Sequence, residues 1–354
     1  MAPGDAPLLQ RLPVQGEQWG PNSLQLSGLE RLRSLSEGSL PEPPCVKLSG
    51  LRPTEVGPGM CTFAMPASPW WQSAATVFPG GVLAFAADSS LAAVLTSAGP
   101  GVAASTSELS INFIRAGTTR SKAIIARSRL VYAGRSMGLA TFSVEDGRGR
   151  ALAHGTSSGV LFPVPSSPET EAENEQVGTG LEPHEIAVEG DVLGQEFFNL
   201  TPGIEALPRV MDNPICRFLG VTLDAFAEGR TTVRMPASDW LTNAAGVIYG
   251  GAIALLADIA GSGTVLGLVP AATSYGPIGM RISFLRPTSP LEGDLIASVS
   301  TTHRGRSIVI VQCEIANEAG KLVAIASESF LLLPGRPWDR GLNVAEEISA
   351  TIDS

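Results

Sequence analysis

Residues 65–91 and 235–261 are two versions of one passage. Met65-Pro-Ala-Ser-Pro-Trp70 leads through Gly80-Gly81 to Asp88, and Met235-Pro-Ala-Ser-Asp-Trp240 leads through Gly250-Gly251 to Asp258, at a constant offset of 170. The windows share 13 identities in 27 positions, where average composition would give about two. The likeness continues downstream with one residue inserted: Ile111-Asn-Phe-Ile-Arg115 faces Ile282-Ser-Phe-Leu-Arg286, and Gly134-Arg135-Ser136 faces Gly305-Arg306-Ser307. Two copies of one unit cover most of the chain and make it an internal pseudo-dimer.

A length of 354 residues with 44% hydrophobic content is enough for two cores. The amino terminus lacks the basic stretch and apolar run of a signal peptide, and the longest apolar segment, 81–95, is broken by Asp88. It falls short of the roughly 20 residues a membrane span needs, so the expected location is the cytoplasm. Cys45, Cys61, Cys216 and Cys313 are scattered without a C-x-x-C pair, which suggests neither a disulfide framework nor a zinc site. A net charge of −10 argues against nonspecific binding to nucleic acid or anionic membranes. Residues 115–150 go against that balance, holding eight Lys and Arg against Glu145 and Asp146. Such a patch could receive a small anion or could be the solvated face of a sheet.

The repeat sets the domain organisation. Residues 1–45 form a Pro- and Ser-rich, loosely attached leader, and 46–163 form the first unit. An acidic flexible linker spans 164–190, with Glu169, Glu171, Glu173 and Glu175 repelling one another. The second unit spans 191–335, and 336–354 is a polar tail with a weak helical pattern near Val344. Within each unit a strand-like stretch precedes a turn at Pro66 or Pro236. A helix then opens at the double glycine, apolar or small on nearly every side, as a buried helix reads. Alternating or β-branched runs follow at 109–115, 122–131, 138–145 and 150–162, and at 280–285, 294–302, 307–315 and 321–333. The class predicted is α+β, with one helix wrapped by an antiparallel sheet of about five strands in each unit.

Asp88 and Asp258 lie two turns into these apolar helices, too far from the start to be caps. An unpaired buried carboxylate is costly, and here one occurs twice at the same place. Each could be a general base or nucleophile facing a cleft between the units, or could be satisfied by donors of the partner unit. The glycine pair offers exposed N–H groups and the positive end of the helix dipole, which together suit an oxyanion. Tight packing of helix on sheet is the other use of Gly-Gly.

The pattern of Asn243, Tyr249, Gly250-Gly251, Asp258, Phe284-Leu-Arg-Pro287 and Gly305-Arg306, matched by Gly80-Gly81, Asp88, Phe113-Ile-Arg115 and Gly134-Arg135, resembles the hotdog-fold acyl-CoA thioesterases of the phenylacetate-pathway type. The resemblance covers about 55–163 and 225–334 and implies a tandem double hotdog that hydrolyses a thioester between units. It implies a first site of Asn243, Gly250 and Gly251 with Asp88, where Thr106 falls at the position of a hydroxyl that orients water. Tyr249 stands there in place of the family's histidine, as a substrate-binding candidate. The second site would join Gly80 and Gly81 to Asp258, with Ser73, Pro79 and Pro277 where the amide, histidine and hydroxyl belong, and is expected to be weak or silent. No cofactor is implied beyond coenzyme A as part of the substrate. Arg135, Arg306 and Arg304 are the candidates for its phosphates, and further association into an oligomer is expected.

His154, His184 and His303 are not spaced as metal ligands, and there is no G-x-S-x-G elbow. A non-catalytic acyl-CoA-binding module or sensor is the alternative reading, and a structural duplicate scaffold a third. The sequence does not specify the acyl group.

Overall fold

The computed structural model describes residues 7–164, 182–200 and 206–336. The glutamate run of the linker and the helical pattern near Val344 lie outside the described residues. In the first unit the order is α1 (Pro44–Ser49), β1 (Arg52–Gly57), β2 (Met60–Pro66), α2 (Gly80–Ala87), β3 (Val102–Phe113), β4 (Ala123–Ala133), β5 (Met137–Asp146) and β6 (Ala151–Pro163). The second repeats it as α3 (Pro214–Leu219), β7 (Thr222–Ala227), β8 (Arg230–Met235), α4 (Gly250–Leu266), β9 (Thr273–Phe284), β10 (Leu295–Arg304), β11 (Ile308–Asn317) and β12 (Leu322–Pro334). Each unit is a sheet of six strands around one helix, the tandem hotdog arrangement. The expected five strands omitted β1 and β7, which are short edge strands with little alternation of burial to read.

All twelve strands form one antiparallel sheet in the order β1-β2-β4-β5-β6-β3-β9-β12-β11-β10-β8-β7. The units join where β3 pairs with β9: Leu109 faces Ile282, Ser110 faces Arg281 and Ile111 faces Met280. With the one-residue insertion, Leu109 corresponds to Met280 and Ile111 to Ile282, so a local two-fold axis passes between Ser110 and Arg281. Period-two alternation points Ala140, Phe142 and Val144 of β5, and Val309, Val311, Cys313 and Ile315 of β11, inward.

The two central helices fill the core, and every residue of α2 is buried. They differ in continuity. α4 runs unbroken for 17 residues. α2 gives way at Asp88 to a 3₁₀ turn, Asp88–Ser90, before Leu91–Leu95 resumes as helix. There the Ser89 hydroxyl donates to the Ala86 carbonyl at 2.7 Å, the local competition that makes serine a poor residue for a helix interior.

The leader is packed, which corrects the expectation of loose attachment. Leu8, Leu9, Leu32 and Leu35 are buried. A helix over Gly28–Ser36 opens on a capping box between Ser27 and Glu30. The leader then crosses to the other unit, with the Trp19 N–H donating to Ala244 O and Cys45 N–H to Thr242 O. The mirror contact is Ile215 N–H to Gln72 O, so the helix preceding each unit's first hairpin braces the other unit. Residues 182–190 are also anchored: Glu182 takes ion pairs from Arg52 and Lys47, and Trp70 Nε1 donates to Ile186 O. Among the described residues no helix is long and apolar enough to cross a membrane.

Candidate active site

The helices cross at their glycines. A β-carbon on Gly81 would lie 2.7 Å from Leu255 Cα, and one on Gly251 would lie 2.7 Å from the Phe85 carbonyl oxygen. The second glycine of each pair therefore lets one helix backbone touch the other. The packing explanation holds for this glycine, and the crossing brings the start of each helix to the middle of its neighbour.

At the first seam Asp88, at the end of α2, meets the start of α4. Asp88 is 4% exposed. Its Oδ1 accepts from the Thr106 hydroxyl on β3 at 2.7 Å, and its Oδ2 accepts from the Gly251 N–H at 2.9 Å. Burial pushes the Asp88 carboxyl up to about 6, while the bonds from Thr106 and Gly251 pull the other way by favouring the charged form. A β-carbon on Gly250 would stand 2.8 Å from Asp88 Oδ2 and 3.3 Å from the Phe284 ring, so only glycine leaves room beside the acid. The Gly250 N–H is first in its helix, has no intrahelical partner, and makes no other hydrogen bond among the described residues. Gly251 instead spends its N–H on the carboxylate. The glycine pair therefore divides its work, with the first amide open and the second holding the acid.

Tyr249 packs beside Gly251 and reaches across to α2. Its hydroxyl donates to the Phe85 carbonyl at 3.0 Å, and its ring meets Phe85 edge-on at 5.0 Å, so it ties α2 to the start of α4 across the seam. Asn243 sits in the loop before α4, where its Oδ1 accepts from the Ala245 N–H at 2.9 Å and closes a tight turn. Arg304 is engaged by Glu228 and the Leu268 carbonyl. Arg135 and Arg306 stand exposed on the β4–β5 and β10–β11 turns. Of the basic run at 115–150, Arg127 is paired with Glu55 and Glu145, and Arg150 with Asp146.

The second seam has the same plan with different chemistry. Asp258 is fully buried against Gly80 and Gly81, and Pro277 occupies the place of Thr106. Asp258 faces Glu328 of β12 and shares a side-chain hydrogen bond with it, the Gly81 amide lies against Asp258, and neither carboxyl has a further donor in good geometry among the described residues. Burial pushes both carboxyls up and the Asp258 charge raises Glu328 further, while the Gly81 amide and the hydrogen bond shared with Glu328 pull Asp258 back toward its charged form. Gly261 makes room for Glu328, since a β-carbon there would lie 3.0 Å from Glu328 Oε2. The corresponding residues of the first unit are Leu91 and Ser157. The sequence reading passed over Glu328, although a charge at an inward position of an alternating strand was the available signal. A cavity of about 120 Å³ opens at this seam, walled by Gly80, Leu83, Phe113, Ile259, Tyr275 and Pro277 among others.

The family model described as the thioesterase superfamily matches residues 77–153 and again 245–324. A protein of Halobacterium salinarum named "Putative esterase" is 31% identical over 115 residues, which is 31% of this chain and 74% of that protein. The TesB protein of Mycobacterium avium subspecies paratuberculosis aligns with a TM-score of 0.53 at 15% identity, covering 80% of this chain and 96% of the other. A hot dog fold protein of unknown function from Alicyclobacillus acidocaldarius aligns with a TM-score of 0.50 at 14% identity, covering 81% and 97%. The matched unit occurs twice in this chain, joined through β3 and β9 around crossed central helices: the chain belongs to the thioesterase superfamily and is a thioester hydrolase in double-hotdog form.

Proposed function

We propose that the protein hydrolyses acyl-coenzyme A thioesters at the first seam, with Asp88 as general base and the Gly250 N–H as oxyanion donor. The observation that carries this reading is the pairing of a buried acid from one unit with an open helix-start amide from the other. Water held beside Asp88 gives its proton to the carboxylate as its oxygen attacks the thioester carbonyl. Negative charge then develops on the carbonyl oxygen against the Gly250 amide and the dipole of α4. When the tetrahedral intermediate collapses, the C–S bond breaks, the proton passes from Asp88 to the departing thiolate, and free acid and coenzyme A leave. Thr106 and the Gly251 amide keep Asp88 ionised and aimed. Arg135, exposed on its turn, is the candidate cation for the coenzyme phosphates at this seam.

The test is turnover of an acyl-CoA panel followed with a reagent for free thiol. Asp88→Asn is expected to lose at least about a hundredfold in kcat, the usual contribution of a positioned base, whereas Asp258→Asn should keep most of the wild-type rate. Equal losses from the two substitutions would end the assignment to the first seam.

A further inference from the structure

We infer that the second seam binds the acyl chain of a neutral thioester and holds it without hydrolysing it, so that each chain carries two acyl-thioester sites of which one turns over. The inference rests on the proposed thioesterase reading and extends it to the other half of the molecule.

The occupant is argued from the walls. This seam is the internal duplicate of the first, residue for residue: Gly80 stands for Gly250, Phe113 for Phe284 and Pro277 for Thr106. Its cavity is lined mainly by apolar side chains, with Leu83 and Ile259 contributed by the two central helices and Arg115, Ser73, Asn213 and Ser262 as the polar exceptions. Chain burial there removes hydrocarbon from water without leaving a polar group unpaired. Gly80 is first in its helix and forms part of the wall, so its N–H is offered to a carbonyl as the Gly250 N–H is. The rim is also equipped: Ser307 accepts from the Leu332 N–H, beside Leu331 in the cavity wall, which places the exposed Arg306 turn at the edge.

What has gone is the means of cleavage. Pro277 offers no hydroxyl to aim an acid or a water. Asp258 is fully buried, and where Asp88 has a hydroxyl Asp258 has a second carboxyl, Glu328. The same two acids determine which ligand is accepted. A free carboxylate reaching the Gly80 amide would meet Asp258, whose oxygen lies 3.2 Å from where a Gly80 β-carbon would be. A thioester carbonyl brings no charge to that position, so the intact thioester is favoured over the product acid.

The probe is S-octyl-coenzyme A, a thioether that cannot be hydrolysed, titrated into the full chain by calorimetry. Two equivalents per chain are expected for the wild type, and one for Val210→Trp, which places a ring in the cavity from its partly exposed side. Ser262→Trp, on the cavity face of α4, is the second variant should the first misfold. Either variant should hydrolyse acyl-CoA within twofold of the wild-type rate, and a tenfold excess of octanoate should leave both equivalents in place. One equivalent in the wild type, two retained in both folded Trp variants, or displacement by octanoate would overturn the inference. Loss of hydrolysis with Asp258→Asn rather than Asp88→Asn would overturn it as well. The stoichiometry reads the second seam and the Asp88→Asn rate reads the first, so each reading can fail alone.

Discussion

Thr106 is one hydroxyl on one strand, yet under the proposed mechanism it acts twice. It aims Asp88, and it favours the ionised carboxylate against a burial that pushes the group up to about 6. Hydrolysis that needs the carboxylate should therefore fall away as pH drops through about 6. Thr106→Val should cost about tenfold in kcat, the order expected for a hydrogen bond to a charged group, and should move the acid limb of the pH–rate profile upward. A lowered rate with an unmoved limb would make Thr106 a packing residue only. Glu328 gives a stability counterpart. Its folded carboxyl is raised by burial and by Asp258, so the native state holds its proton more tightly than the unfolded chain does. The stabilising contribution is then complete below the ordinary glutamate range and is lost as pH rises through the raised folded value. Wild-type Tm should fall between pH 5 and pH 8, and Glu328→Gln should flatten that slope while raising Tm at pH 8. A steeper slope in the variant would show that the pair is satisfied by a donor.

At the scale of elements, the crossing of α2 and α4 fixes the geometry, and the second glycine of each pair fixes the crossing. Gly251→Ala would press a methyl group onto the Phe85 carbonyl at 2.7 Å, backbone that cannot swing aside. Overpacking of this kind costs about 1–3 kcal/mol. A denaturant midpoint lowered by that much, with turnover falling as the Asp88 bond to the Gly251 amide lengthens, is the expected result; an unchanged midpoint would mean that the helices are not in contact there. Much of this element was legible before the fold was known, because the repeat marked the helix start and the recurring acid, and a wholly apolar helix can only be central. The division of labour between the two glycines was not legible, since it depends on which carbonyl and which carboxylate the other unit presents. The 3₁₀ break after Asp88 turns on one serine hydroxyl choosing Ala86. The edge strands β1 and β7 were missed for want of a regular alternation, and the pairing of Glu328 with Asp258 because the two are 70 positions apart in the chain.

At the scale of the molecule, the continuous sheet and the reciprocal braces tie the units together independently of the linker. The β3–β9 ladder, the helix crossing and the paired bonds from Cys45 to Thr242 and from Ile215 to Gln72 all cross the boundary. A single cut engineered within 165–181 should therefore leave the halves associated, with unchanged elution on gel filtration and hydrolysis within twofold of the intact chain. Dissociation on dilution would show that covalent connection supplies what the seam does not.

Joining the copies in one polypeptide also releases them from having to match. In a dimer of identical subunits, a proline replacing the threonine would appear at both clefts and disarm both. Here Pro277 alters one and leaves Thr106 in the other. A glutamate can likewise enter one core opposite a glycine while its twin remains serine opposite leucine. Selection can thus shape one cleft for turnover and the other for a different purpose, a freedom that strict symmetry denies.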